Sequence, residues 1–180
     1  MKPLHEAFKV DFDPERARVL IGDEPYIMIR SDSFHALHAV LMQVLGRGAS
    51  SLLFSAGYDR GSKVVRFLRD HWDASSLEEI VQALSYLSSH LGRFSLESFS
   101  QGPDGEAVVT LRHSFEAFGY RDMKEPVCHY LRGIFTSFFE EVTGRKGLLC
   151  EETRCEAAGS EECEFVIGEN PFLQADANAG

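Results

Sequence analysis

The sequence predicts an α+β chain, with a helical layer packed on an antiparallel sheet. Three observations carry this. Apolar residues recur at helical spacing from Phe34 to Leu91, and the period then changes between Phe94 and Leu111. Helical spacing returns over 126–143 and gives way to a second pair of extended runs. The segments are joined by Gly- and Pro-containing turns, with no repeat, low-complexity block or linker.

Each element has its own signal. Residues 1–16 are mixed and Pro-containing and read as an N-terminal arm ahead of a single domain over 17–170. Val19–Ile21 and Tyr26–Ile29 are short extended runs around a Gly22-Asp23 turn. Ser31-Asp32-Ser33 offers an N-cap to a helix with Phe34, Leu37, His38, Leu41, Val44 and Leu45 on one side, closed by Gly46-Arg47-Gly48. A second helix over 49–72 carries Leu52, Leu53, Ala56, Val64, Phe67 and Leu68 as its apolar stripe. Its arginines from Arg60 to Arg69 form a solvated face. Within it, Gly57 and Gly61 have the spacing of a close helix–helix contact, within the chain or across a dimer, or mark a kink or a loop. Ser75–Glu79 resembles a capped start to a third helix bearing Ile80, Leu84, Leu87 and Leu91. Gly102-Pro103-Asp104-Gly105 is the turn of a hairpin ending in Val108–Leu111. Pro126 suits the first turn of a helix over 126–143 with Leu131, Ile134, Phe135, Phe138 and Phe139 on a broad apolar face, ended by Gly144. Gly147–Thr153 and Glu162–Ile167 are the last strand pair, and 171–180 is a frayed tail.

Composition narrows the function. A net charge of −10 without a basic stripe argues against a nucleic-acid partner. No stretch approaches the ~18 consecutive apolar residues of a membrane span, and the polar N-terminus is no secretory signal. The expected location is cytoplasmic, where thiols stay reduced. No nucleophile elbow, phosphate loop, dinucleotide fingerprint or HExxH helix occurs.

All four cysteines lie from Cys128 to Cys163, among Glu151, Glu152, Glu156, Glu161 and Glu162. Soft thiolates beside a carboxylate are the donor set of a divalent ion such as Zn²⁺. Cys128 falls in the first turn of the 126–143 helix, where the macrodipole favours a thiolate. Period-two alternation puts Leu148, Cys150 and Glu152 on one face of their strand. A hairpin returning Cys163 beside Glu152 and Cys155 gathers three ligands, and Cys128 closes a tetrahedron. The alternative is a set of small buried cysteines filling a sheet core.

The runs Pro126-Val127-Cys128-His129-Tyr130-Leu131-Arg132-Gly133, Glu140–Gly144, Glu152-Thr153-Arg154-Cys155 and Gly159–Gly168 resemble the 4-vinyl reductase domain. That family includes bacteriochlorophyll-biosynthesis proteins and the sensor domains of activators responding to phenols, and it shares its architecture with TRAPP subunits. The resemblance implies a structural zinc on Cys128, Glu152, Cys155 and Cys163, within a metal-binding lobe over 126–168. Glu151 is a substitute for Glu152. Cys150 lines an adjacent cavity, fills the core or replaces a ligand.

The aromatic surplus in the same half suggests an apolar ligand pocket, for which His113, Phe115, Phe135, Phe138 and Cys150 are the candidates. His35 and His38 read as packing residues, and His129 as a neighbour of the metal or as exposed. The phenol sensors hold the ligand hydroxyl with a pocket His and Trp, whereas the only tryptophan here, Trp72, ends a helix outside the motif. The expected function is a sensor domain for a small apolar or aromatic molecule. It acts as a homodimer and signals through a separate downstream protein, since the resemblance implies an ATPase and a helix-turn-helix that this chain does not show. The alternatives are a tetrapyrrole-pathway reductase or carrier, and an interaction module like the TRAPP subunits.

Overall fold

The computed structural model describes residues 9–103 and 105–170. Among the described residues, two antiparallel sheets and four helices are formed. Strands β1 (Val10–Asp13), β2 (Arg18–Ile21) and β3 (Glu24–Tyr26) make a small sheet in that order. Helices α1 (Ser31–Leu45), α2 (Arg47–Trp72) and α3 (Leu77–His90) follow. Strands β4 (Ser95–Gln101) and β5 (Ala107–Arg112), helix α4 (His129–Thr143), and strands β6 (Leu148–Arg154) and β7 (Cys163–Glu169) complete the chain. The larger sheet has the order β4-β5-β7-β6. Among the described residues, no helix is long and apolar enough to cross a membrane.

The expected helical layer on an antiparallel sheet is therefore present, with four departures in detail. The described part of the N-terminal arm contains β1, paired to β2 with Val10 opposite Ile21; residues 1–8 and the expected tail at 171–180 lie outside the described residues. Strand β3 stops at Tyr26, leaving Ile27, Met28 and Ile29 exposed. Helix α1 begins at Ser31 without a side-chain cap, and Asp32 instead pairs with Arg30 at 2.5 Å. Helix α4 begins at His129, with Cys128 in the capping position rather than in the first turn.

The large sheet presents one buried face to the helices. Strand β7 turns Cys163, Phe165 and Ile167 inward, while β6 turns Leu148, Cys150 and Glu152 inward. That is the alternation expected of a sheet covered on one side. The register sets Phe165 against both Val109 and Glu152, and Ile167 against Ala107 and Cys150. Phe94 and Phe165 pack edge-on against Phe135 of α4, with centroids 6.0 and 5.0 Å away.

Helix α4 is the centre of the fold, between this sheet and α2. The approach of α2 to α4 resolves the reading of Gly57 and Gly61. A Cβ on Gly57 would collide with the Tyr130 carbonyl, and one on Gly61 with that of Ile134. The reciprocal contact is Gly133 of α4, where a Cβ would strike the Phe54 carbonyl. The small residues therefore let two helices of the same chain touch backbone to backbone, much closer than the usual interaxial distance of about 8–10 Å requires.

Helix α3 starts on a capping box. Ser76 Oγ accepts the Glu79 amide at 3.2 Å, and the Glu79 carboxylate accepts the Ser75 and Ser76 amides at 2.9 and 3.2 Å. Those backbone donors, the Ser75 amide first, hold the Glu79 carboxyl at about 2.

Two expectations follow. Gly133→Ala or Gly61→Ala lowers the unfolding free energy by at least about 3 kcal/mol, the upper range for overpacking, since the obstacle is backbone; denaturant titration measures it. Ser76→Ala costs about 1 kcal/mol. Because the folded Glu79 is more acidic than the unfolded one, its contribution is complete above pH 4.5 and disappears as pH falls towards 2. The stability difference between wild type and Glu79→Gln should shrink over the same interval.

Candidate metal centre

Cys128, Glu152, Cys155 and Cys163 come from three parts of the fold and meet beneath the N-terminus of α4. Their ligand atoms all lie within 4.8 Å of one another, and all four residues are buried. The Cys128 and Cys163 sulfurs are 4.0 Å apart. Around a tetrahedral ion with bonds of about 2.3 Å to sulfur, neighbouring sulfurs sit about 3.8 Å apart. The Cys128–Cys163 spacing is close to that of two ligands of such an ion, and the four cysteines are free thiols.

Local structure explains how each donor is aimed. Glu152 is on the inward face of β6, and its Oε2 accepts the Cys128 amide at 2.9 Å. Its Oε1 is buried with no hydrogen-bond partner. A buried carboxylate oxygen left without a donor is costly, and a cation at the centre of the cluster removes that cost. Cys155 ends the strand at the start of a single 3-10 turn (Glu156–Ala158). That turn leads back to Cys163, whose sulfur accepts the Glu156 amide at 3.3 Å. Ser114 Oγ lies 3.3 Å from Cys128 Sγ. Amide and hydroxyl groups directed at sulfur stabilise thiolates and orient them as ligands.

The electrostatics of the cluster are those of a site built for positive charge. Burial pushes the Cys128 thiol and the Glu152 carboxyl up, Glu152 being raised further by the adjacent Cys155. Cys155 is held low by hydrogen bonds from Cys128 and Cys163. Three thiolates and a carboxylate held this close repel one another unless an ion is shared.

The start of α4 depends on the same carboxylates. Besides Glu152 on the Cys128 amide, buried Glu116 accepts the Tyr130 and Leu131 amides at 2.9 and 2.8 Å. Two carboxylates distant in sequence therefore satisfy the first donors of the helix, which Cys128 does not cap with its own side chain. Burial pushes the Glu116 carboxyl up, while the nearby His38 ring and hydrogen bonds from the two amides oppose it. His38 Nε2 is 3.6 Å from Glu116, and its Nδ1 shares a 2.7 Å hydrogen bond with the Tyr120 hydroxyl. Glu116, Tyr120 and the role of His38 were not legible in sequence. The available signal was an acid enclosed by Phe115, Ala117 and Phe118.

The remaining sequence candidates are dispersed. Glu151 points to the exposed face of β6. Cys150 is buried opposite Ile167 and lies outside the four-donor group. His129 is buried, with Nε2 3.0 Å from Ser50 Oγ; burial depresses it to about 4, so it is neutral at physiological pH. His113 is exposed in a left-handed backbone conformation, and its amide donates to Glu156. Phe115 is half-buried, with its ring 4.8 Å from that of Phe34. Phe135 and Phe138 belong to the core. His113 faces solvent, while Phe115 packs against the core and meets Tyr130 of α4 edge-on with centroids 6.2 Å apart. Trp72 is buried against Phe67, away from the cluster.

Comparison with known proteins agrees with this architecture. Residues 7–99 match the family model described as activator of aromatic catabolism, and residues 107–169 match that of the 4-vinyl reductase domain. The phenol-responsive sensory domain of the transcription activator PoxR, solved with phenol, superposes with a TM-score of 0.74 at 17% identity, covering 93% of this chain and 90% of that one. A vinyl-4-reductase family protein from Methanocaldococcus jannaschii gives 0.54 at 18% identity, covering 81% and 84%. Trafficking protein particle complex subunit 3 from Naegleria fowleri, covalently bound to palmitic acid, gives 0.57 at 12% identity, covering 76% and 93%. At these identities the likeness is one of fold. No curated protein sequence matches the chain.

The donor set has a direct test. Bound divalent metal, measured by mass spectrometry or a chromogenic chelator, is expected to be lost in Cys155→Ser and Cys163→Ser and retained in Cys150→Ala and Glu151→Gln. Because all four donors bind in deprotonated form, metal retention should fall as pH falls.

Proposed function

The chain belongs to the family of activators of aromatic catabolism, and from that premise we propose that it is a ligand-binding sensor domain for small apolar or aromatic molecules, framed by a structural zinc. The observation that carries this reading is the buried four-donor cluster joining the capping position of α4 to the β6–β7 hairpin, directly beside an aromatic layer. Four protein donors leave no open coordination position, so the ion is structural rather than catalytic. When bound, zinc supplies a neutralising charge and a rigid cross-link. The residues do the rest: Glu152 and Glu116 hold the helix start, and the helix presents its aromatic side to the sheet.

The ligand is placed between α4 and the sheet, where Phe135 contacts Phe94 and Phe165, and Phe99 stacks on Phe139 with centroids 5.8 Å apart. Of the residues the sequence nominated for the pocket, Phe135 and Cys150 border this layer. Edge-on aromatic packing suits a flat apolar ligand, which replaces ring–ring contacts with similar ones. The chain acts as a homodimer in the cytoplasm, where its thiols remain free for the metal. Ligand binding favours one arrangement of the helical layer, and a downstream protein reads that arrangement.

The test is thermal unfolding of the metal-loaded protein with phenols, alkylbenzenes, long-chain fatty acids and tetrapyrroles. An aromatic at a hundredfold excess over its dissociation constant is expected to stabilise the fold by about 2.7 kcal/mol. Phe135→Leu should weaken that binding by about 0.5–1.5 kcal/mol, the worth of an aromatic pair. Stabilisation by fatty acids alone would contradict the aromatic assignment, and no stabilisation by any class would contradict the sensor reading.

A further inference from the structure

Helix α1 is assembled the wrong way round for a helix serving only its own core. Its one fully buried side chain is His38, a polar residue, while Leu37, Val40 and Val44 are 56%, 54% and 72% exposed. An amphipathic helix normally does the reverse. The orientation has a visible cause: His38 is drawn inward by Tyr120 and Glu116, the acid that also holds the start of α4. Once His38 is fixed on the inner side, the apolar stripe of the helix is directed outward. Exposed Ile27 and Met28 precede the helix, and exposed Leu52 follows on α2.

From this we infer that the outer face of α1 is the surface on which a second copy of this chain docks, helix against antiparallel helix about a twofold axis near Val40. The inference deepens the homodimer proposed above by assigning its interface.

Charge selects a second copy as the occupant. The chain carries a net charge of −10, so most of its surface repels another copy. From Ser33 to Gly46, however, there is no Asp, Glu, Lys or Arg. This neutral stretch is bounded by exposed Asp32 on one side and exposed Arg47 on the other. Two copies laid antiparallel with Val40 on the axis bring the Asp32 carboxylate of each, already paired with Arg30, to the end occupied by Arg47 of the other, which shares it. The face is therefore self-complementary, as a twofold contact requires. Asp32, Ala36, Val40 and Val44 recur every fourth residue and are all exposed, giving a continuous seam along the helix.

The test is sedimentation of the full chain at about 0.1 mM, well above the micromolar range of modest affinities. Wild type is expected to sediment as a dimer, and Val40→Glu to raise the dissociation constant at least a hundredfold through like charges meeting on the axis. Circular dichroism and bound metal should be unchanged in that variant, which separates lost association from lost folding. Mixing Val40→Glu with Val40→Lys should restore a dimer containing one of each, a result specific to residue 40 facing its own copy. A wild-type dimer indifferent to Val40→Glu would overturn the interface and leave the homodimer standing. A wild-type monomer would overturn both, while ligand and metal binding are read independently.

Discussion

Three thiols and a carboxylate are buried together beneath the start of one helix, and the arrangement of the rest follows from that constraint. The donors come from the residue before α4, from the end of β6 and from the beginning of β7. Gathering them requires the β6–β7 hairpin to fold against the helix start. This in turn fixes which side of α4 meets the sheet. Left without a cation, the cluster would hold an unpaired carboxylate oxygen and competing anionic sulfurs in a dry interior, among the most costly arrangements a fold can contain. With one ion shared, the same groups become a cross-link whose binding energy is folding energy.

Helix α4 passes that constraint outward in two directions. Towards the sheet it carries Phe135 against Phe165 and Phe94, a contact of large apolar area and defined ring geometry. Towards α2 it carries Gly133 against the Phe54 backbone, while Gly57 and Gly61 of α2 lie against the Tyr130 and Ile134 backbone, a backbone-to-backbone approach. The long helix is thereby locked to α4. Glu116 extends the connection to α1, because the carboxylate holding the α4 amides also faces His38. Metal lobe, aromatic layer and exposed helix are joined by direct contacts, a route by which a change in the aromatic layer can reach the surface.

Local signals made much of this legible in the sequence. The alternation Leu148, Cys150, Glu152 placed the carboxylate on the cysteine-bearing side of β6 because strand geometry has a strict period of two. The Ser76 and Glu79 capping box was readable because its partners are three residues apart. What could not be read depended on long-range partners. The spacing of Gly57 and Gly61 announced a close approach, but its other half, Gly133, is remote in sequence. Pro126, a sound first-turn residue, puts the start of α4 too early, because the helix's first amides are satisfied by Glu116 and Glu152 from elsewhere. Leu37 and His38 were assigned to one apolar side, yet the structure divides them. Periodicity defines a stripe but not which way it faces, and Tyr120 and Glu116 decide that.

The cross-linking ion is the claim on which these connections rest, and native against denaturing mass spectrometry of the untagged, chelator-free chain addresses it most directly. The account predicts an excess mass of one zinc ion per chain in the native spectrum, removed on denaturation together with the fold. A native spectrum of well-folded chains at the bare polypeptide mass would contradict it.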